Sequence, residues 1–344
     1  MINAFGAAAP ELDIHVRTSA PRWLFERTAR VPLTFSSVEC DTGVVQIDGL
    51  RLDERATIER AAAFYERLAE RASLEADVLR RERARLVVCD APPLACEAAA
   101  QAGIRSVVVA NFTWDWIYEG YSEHLRGAPK LVPAIRQAYG QAAAALRLPM
   151  HGGFEAISTI LDVPFIARHS QHASNELRTA FGLPLDRPLV LSSFGGLGIK
   201  DMELARLDCL DEFAVLVTAA EPSTEVPDGV HLIVESTLYD RGFRYEDLVH
   251  AADVVVSKPG YGIISECIAH NTAILFTSRG RFAEYDVLVR EMPRYLRCRY
   301  IDQQALFDGR WRDALNALLA APPPPGTAPT DGADAVVRRM LELL

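Results

Sequence analysis

Three stretches in the second half of this 344-residue chain end an apolar run in glycine and charge. The first, SSFGGLG (192–198), places Gly195, Gly196 and Gly198 where a strand would hand over to a helix. Glycines there let backbone N–H groups approach a ligand closely, and N–H groups near a helix start favour a diphosphate. The spacing matches neither a Walker loop nor G-x-G-x-x-G, so a plain turn stands beside anion binding as a reading. The second, DVVVSKPGYGIISE (253–266), reads as strand, tight turn and helix start. Gly260 makes the turn with Pro259, Gly262 gives clearance, and Lys258 either neutralises phosphate or pairs with a neighbouring carboxylate. Glu266, in the first turns of that helix, either accepts from both hydroxyls of a ribose or is a helix-dipole or solvent-exposed charge. The third, TSRGRFAEYD (277–286), brings Arg279, Arg281, Glu284 and Asp286 to a strand end. Mixed charges suit sugar hydroxyls, and a solvated loop explains them as well.

The first half offers Asp90 at the end of LVVC and the run NFTWDWIYEGY (111–121) after the next strand. Asn111, Trp114 and Asp115 there either floor a sugar site or pack a helix against a sheet. His169 and His270 read as structural, and no histidine or cysteine spacing suits a metal.

These loops need strands to present them. RLVVCD (85–90), SVVVANF (106–112), PLVLSS (188–193), FAVLVTA (213–219), VHLIVE (230–235), DVVVSK (253–258), TAILFTS (272–278) and RYI (299–301) are short apolar runs separated by helical segments. That alternation means parallel sheets covered on both faces, whose ligands sit beyond the carboxyl ends of the strands. The passage 151–170 reads as a junction between halves. APPPPGTAPTDGAD (321–334) reads as a linker, followed by a short amphipathic helix carrying Val336, Met340 and Leu343.

The fold class expected is α/β, two doubly wound Rossmann-like domains facing across a cleft. The divisions are 1–155, 156–320, and a linker plus helix over 321–344 that returns to the first domain. With 49% hydrophobic and 24% charged residues the composition is that of a soluble globular protein. A net charge of −10 without a basic stripe excludes broad nucleic-acid binding. No run is long and apolar enough to span a bilayer, so a cytoplasmic location is expected, with peripheral membrane contact left open. Six scattered cysteines read as ordinary thiols, and only three cations are lysines: Lys130, Lys200 and Lys258.

SFGGLG, ADVVVSKPGYGIISE, LFTSRGRFAEYDVL and VVANFTWDWIY together resemble GT-B-fold glycosyltransferases of the family-28 type, related to the bacterial N-acetylglucosaminyltransferase that makes lipid II. The resemblance is closer still to the glycosyltransferase-like N-terminal region of plant and bacterial L-arabinokinases. It implies a nucleoside-diphosphate sugar as donor substrate, an unknown acceptor, and neither metal nor cofactor. By it, Gly195, Gly196 and Gly198 contact the diphosphate, Gly260 and Gly262 line the cleft, and Glu266 binds ribose. Glu284 and Asp286 fall where the donor sugar is met, although the family's Asp/Glu-Gln pair is not matched. Asp90 and Asp115 are the candidates for the base that deprotonates the acceptor. Relatives open with a strand and a G-H-G-x-G-H loop, whereas this chain opens at MINAFGAAAP, so Met1 is expected to be an internal start or a truncation. A non-catalytic nucleotide-sugar-binding module and a nucleotide-sugar epimerase of the same fold are the competing functions.

Overall fold

The computed structural model describes residues 1–194, 203–221 and 226–344. Two parallel sheets dominate. In the second half six strands run in the order Val230–Val234, Ala214–Ala219, Leu189–Ser193, Val254–Ser257, Ala273–Phe276 and Cys298–Tyr300. Every pairing is parallel. Leu189–Ser193, Val254–Ser257 and Ala273–Phe276 are buried along their whole length, as central strands covered on both faces require. Chain order runs outward in both directions from Leu189–Ser193, so the topological switch point lies between that strand and Val254–Ser257.

The first half is built differently. Leu86–Cys89, Arg105–Phe112, Ala144–Gly152 and Ile160–Asp162 form a four-stranded parallel sheet. His15–Thr18 and Thr34–Ser37 pair with each other in a separate two-stranded parallel sheet. Leu86–Cys89 is therefore an edge strand, and Val88 in it is 38% exposed. Helices Glu54–Glu66, Leu68–Arg81, Pro93–Ala102 and Leu131–Tyr139 supply the apolar cover, with Phe64, Tyr65, Leu94, Ile135 and Tyr139 in one core. Asp53 caps the first of these helices by accepting from the Ala56 N–H.

Some boundaries differ from the sequence reading. Part of the expected junction 151–170 is strand. Ile160–Asp162 completes the first sheet, so that half extends past residue 155. Alternation is weak in both segments, where Pro149 and the Gly152-Gly153 pair interrupt the apolar run. The last helix, Gly332–Leu341, buries Val336, Val337 and Met340, two of them in a core with Val107, Val109 and Leu146 of the first sheet and Val163 just beyond it. Its start is tied down where the Gly332 N–H donates to the Phe165 carbonyl.

A hairpin not foreseen in the sequence, Val45–Gln46 paired antiparallel with Leu52–Asp53, joins the halves. Asp48 builds its tip by accepting from the N–H groups of Leu50 and Arg51 at 2.8 and 2.9 Å. Leu50, only 4% exposed, is buried in the second half's core with Val190, Phe194 and Val256.

Candidate functional site

Ser193 ends one strand of the switch point and Ser257 ends the other, with the Ser257 hydroxyl donating to the Ser193 carbonyl. Directly after Ser257 come Lys258, Pro259 and Gly260, and then helix Tyr261–His270. Among the described residues no side chain caps this helix, which leaves its first N–H groups without a side-chain acceptor there. A Cβ placed on Gly260 or Gly262 would meet no atom of the described residues within 4 Å. Gly260 is extended, at φ −161°, so neither backbone strain nor packing demands glycine here. Among the described residues, nothing packs against these two glycines at the helix N-terminus.

Lys258 makes no hydrogen bond or ion pair among the described residues. Half-burial, and then the positive charge of Arg279, lower its pKa to about 8, while the Asp48 carboxylate on the hairpin tip works the other way. An unpaired cation beside a free helix N-terminus at a sheet's switch point is an anion-binding arrangement. Gly195, Gly196 and Gly198 lie outside the described residues, immediately beyond Phe194.

Glu266 is not the exposed charge that one reading allowed. It is 3% exposed, and its Oε1 accepts from Arg168 at 2.5 Å. Arg168 comes from the segment joining the halves and also approaches Glu246 at 3.5 Å. Burial raises the Glu266 pKa, and Arg168 opposes the rise. His270, one turn further on, fixes the same segment by accepting from the Ser170 N–H at 2.9 Å. The carboxylate thus lies in the second turn of the helix, already engaged by an arginine.

Glu284 and Asp286 separate. Glu284 turns inward, 3.5 Å from Arg279, whereas Asp286 is exposed in the first turn of helix Tyr285–Glu291. Arg279 is 7% exposed, stacks on Phe282 and donates to the Pro259 carbonyl at 3.0 Å.

Across the cleft, three expected sugar or base residues are absorbed by packing. The Asn111 amide donates to the Pro149 carbonyl at 2.7 Å. Trp114 is 8% exposed, stacks on Tyr118 and donates from Nε1 to Asp41 at 2.9 Å. Asp115 is 1% exposed and held by Arg136 at 3.0 Å, which ties it to a neighbouring helix. Asp90 remains solvent-accessible at its strand end. Partial enclosure, and then the nearby Asp41 carboxylate, raise its pKa. Burial also raises that of Asp41. Asp90 at its strand end and Asp41 in the loop after Thr34–Ser37 are thus neighbouring carboxylates with raised pKa values.

Sequence reasoning missed Arg168, Asp41 and the hairpin. Only the hairpin left a signal, the Asp48-Gly49 pair between short alternating segments.

No family model matches the chain. It is similar to L-arabinokinase of Arabidopsis thaliana, 30% identical over 319 residues, which cover 90% of this chain. The chain spans 30% of that protein's length. Among solved structures it is similar to CalG4, the calicheamicin glycosyltransferase, with a TM-score of 0.60 at 14% identity, covering 99% of this chain and 88% of that one. It is also similar to Phytolacca americana UGT2 complexed with UDP-2-fluoro-glucose and pterostilbene, with a TM-score of 0.58 at 12% identity over 99% and 90% of the two chains. For the glycosyltransferase VinC in complex with DTDP the TM-score is 0.55 at 16% identity over 96% and 95%. The chain has the GT-B glycosyltransferase fold. No helix of the described residues is long and apolar enough to cross a membrane.

Proposed function

We propose that the chain binds a nucleoside-diphosphate sugar along the strand ends of its second half and transfers the sugar to an acceptor held against the first. The observation that carries this reading is the switch point, where Lys258 meets the N-terminus of helix Tyr261–His270, uncapped by any side chain of the described residues and unobstructed by them at Gly260 and Gly262. A leaving diphosphate gathers charge as the glycosidic bond breaks. Fixed N–H dipoles and one ammonium stabilise that charge without reorganising. Gly195, Gly196 and Gly198 would add N–H groups from the adjacent strand end, and Glu266 would take the ribose hydroxyls once Arg168 yields to them. Asp90, exposed at its strand end with the Asp41 carboxylate nearby, is the group to accept the acceptor's proton. The named ligands of two similar structures, DTDP and UDP-2-fluoro-glucose, support a nucleotide-linked donor.

A non-catalytic nucleotide-sugar-binding module is the second reading. It is favoured by the Arg168–Glu266 pair, which occupies the carboxylate a bound ribose would use.

Calorimetric titration with a panel of nucleoside diphosphates and nucleotide sugars tests both. Binding of one diphosphate, weakened by about 1–3 kcal/mol in Glu266→Ala, is expected. No binding to any member would remove the donor site. Binding with neither transfer nor donor hydrolysis would leave the module.

A further inference from the structure

Arg168 stands between two carboxylates and is bonded to one of them. Its guanidinium donates to Glu266 Oε1 at 2.5 Å, whereas the Glu246 carboxylate lies 3.5 Å away, beyond normal hydrogen-bond length. Glu246 sits in the first turn of helix Tyr245–Ala251, with its side chain 12% exposed, and accepts no hydrogen bond among the described residues. Its neighbour Tyr245 lies 6.0 Å from the same guanidinium and bonds through its hydroxyl to Ser193 at the switch point.

The backbone that carries Arg168 is pinned on both sides. Before it, the Phe165 carbonyl accepts from the Gly332 N–H at 2.9 Å, and Ile166 bridges to Asp331. After it, the Ser170 N–H donates to His270 Nε2 at 2.9 Å, and the Ser170 hydroxyl donates to Asp247 at 2.6 Å. His270 is set in the accepting tautomer because its Nδ1 faces the Glu266 carbonyl at 2.9 Å and must donate to it. The Arg168 side chain, by contrast, is 49% exposed. A fixed pivot, a half-exposed arm and two carboxylates within its reach make an element with two seats, of which the first is filled.

We propose that Arg168 is an autoinhibitory latch on the nucleotide site: it occupies Glu266 in the ligand-free chain and passes to Glu246 when a ribose takes that carboxylate. This rests on the donor reading above and adds how the site is regulated. The transfer is cheap because the guanidinium exchanges one carboxylate for another, while Glu266 exchanges the guanidinium for hydroxyl donors. No buried charge is left alone in either position. The latch therefore lowers nucleotide affinity only by the difference between its two seats.

Calorimetric titration of the full chain with UDP and with dTDP compares the wild type, Arg168→Gln, Glu246→Gln and the double variant. Arg168→Gln should bind about tenfold more tightly, since the ligand no longer competes with a charge-assisted hydrogen bond. Glu246→Gln should bind roughly threefold or more weakly, because the displaced arm loses its second seat. Combined with Arg168→Gln, the Glu246 change should have no effect, a coupling that a merely structural Glu246 would not show. Equal or weaker binding by Arg168→Gln overturns the proposal, as does a Glu246 effect that persists without Arg168. Should Arg168→Gln fail to fold, Glu246→Gln decides, and unchanged or tighter binding by it overturns the proposal. In all these outcomes the diphosphates still bind and the latch alone falls; if neither UDP nor dTDP binds the wild type or Arg168→Gln, the donor reading falls with it.

Discussion

The two parallel sheets answer the same architectural demand in different ways. In the second half, strand Leu189–Ser193 has a neighbour on each side and is buried throughout. In the first half, Leu86–Cys89 has one neighbour, and Val88 carries 38% exposure in a run of sequence as apolar as its counterpart. An apolar strand shows no sign in its own residues of whether a second neighbour exists. What differs is consequence: the loops after Ser193 and Ser257 stand on a fully packed foundation, whereas Asp90 stands on an edge. On the proposed function, the donor would rest on a packed core and the base, Asp90, on an edge strand.

The contrast can be broken most sharply by stability. Leu191, fully buried in the six-stranded sheet, should cost about 2–5 kcal/mol when truncated to alanine. Val88→Thr should change stability by no more than about 0.5 kcal/mol. Denaturant unfolding of the two variants gives the comparison, and equal costs would mean that the edge is not an edge in solution.

A smaller effect separates the two walls in binding. Lys258→Met should weaken nucleoside-diphosphate binding by about 1.5–3 kcal/mol, the range for hydrogen bonds to charged groups. The same lysine sets a pH dependence. Its folded pKa, lowered to about 8, means the amine is mostly neutral above that pH, so charging it for an anionic ligand then costs free energy. Affinity should hold steady below pH 8 and fall above it, and Lys258→Met should flatten the profile. Folding follows the matching sign. Between about pH 8 and the unfolded lysine value near ~10.4, the unfolded chain keeps a proton that the folded chain has released, so this group's contribution to stability rises with pH.

Much of the fold was legible because buried parallel strands are written as short runs of Val, Ile and Leu, as in VVVS at 254–257 and AILF at 273–276. Ala144–Gly152 escaped because Pro149 and paired glycines mimic a linker while its partner Arg105–Phe112 lies earlier in the chain, and the three-residue Ile160–Asp162 is a strand only by pairing with it. The site divides in the same way. Lys258, Gly260 and Gly262 are local features of one turn and could be read from it. That Arg168 would cover Glu266, 98 residues away, and that Leu50 would seat in the other half's core are products of tertiary packing without a local signature. Trp114 and Asn111 show the reverse: residue types suited to a sugar floor, committed by Asp41 and the Pro149 carbonyl to holding the first half together.

The most direct test of the donor wall is hydrogen exchange in the presence and absence of the tightest-binding nucleoside diphosphate. Residues 254–268, which carry the end of the switch-point strand, Lys258 and the helix start, should gain protection, while the edge strand 86–89 should not change. Protection confined to the first half, or none at 254–268 under saturating ligand, would contradict the account.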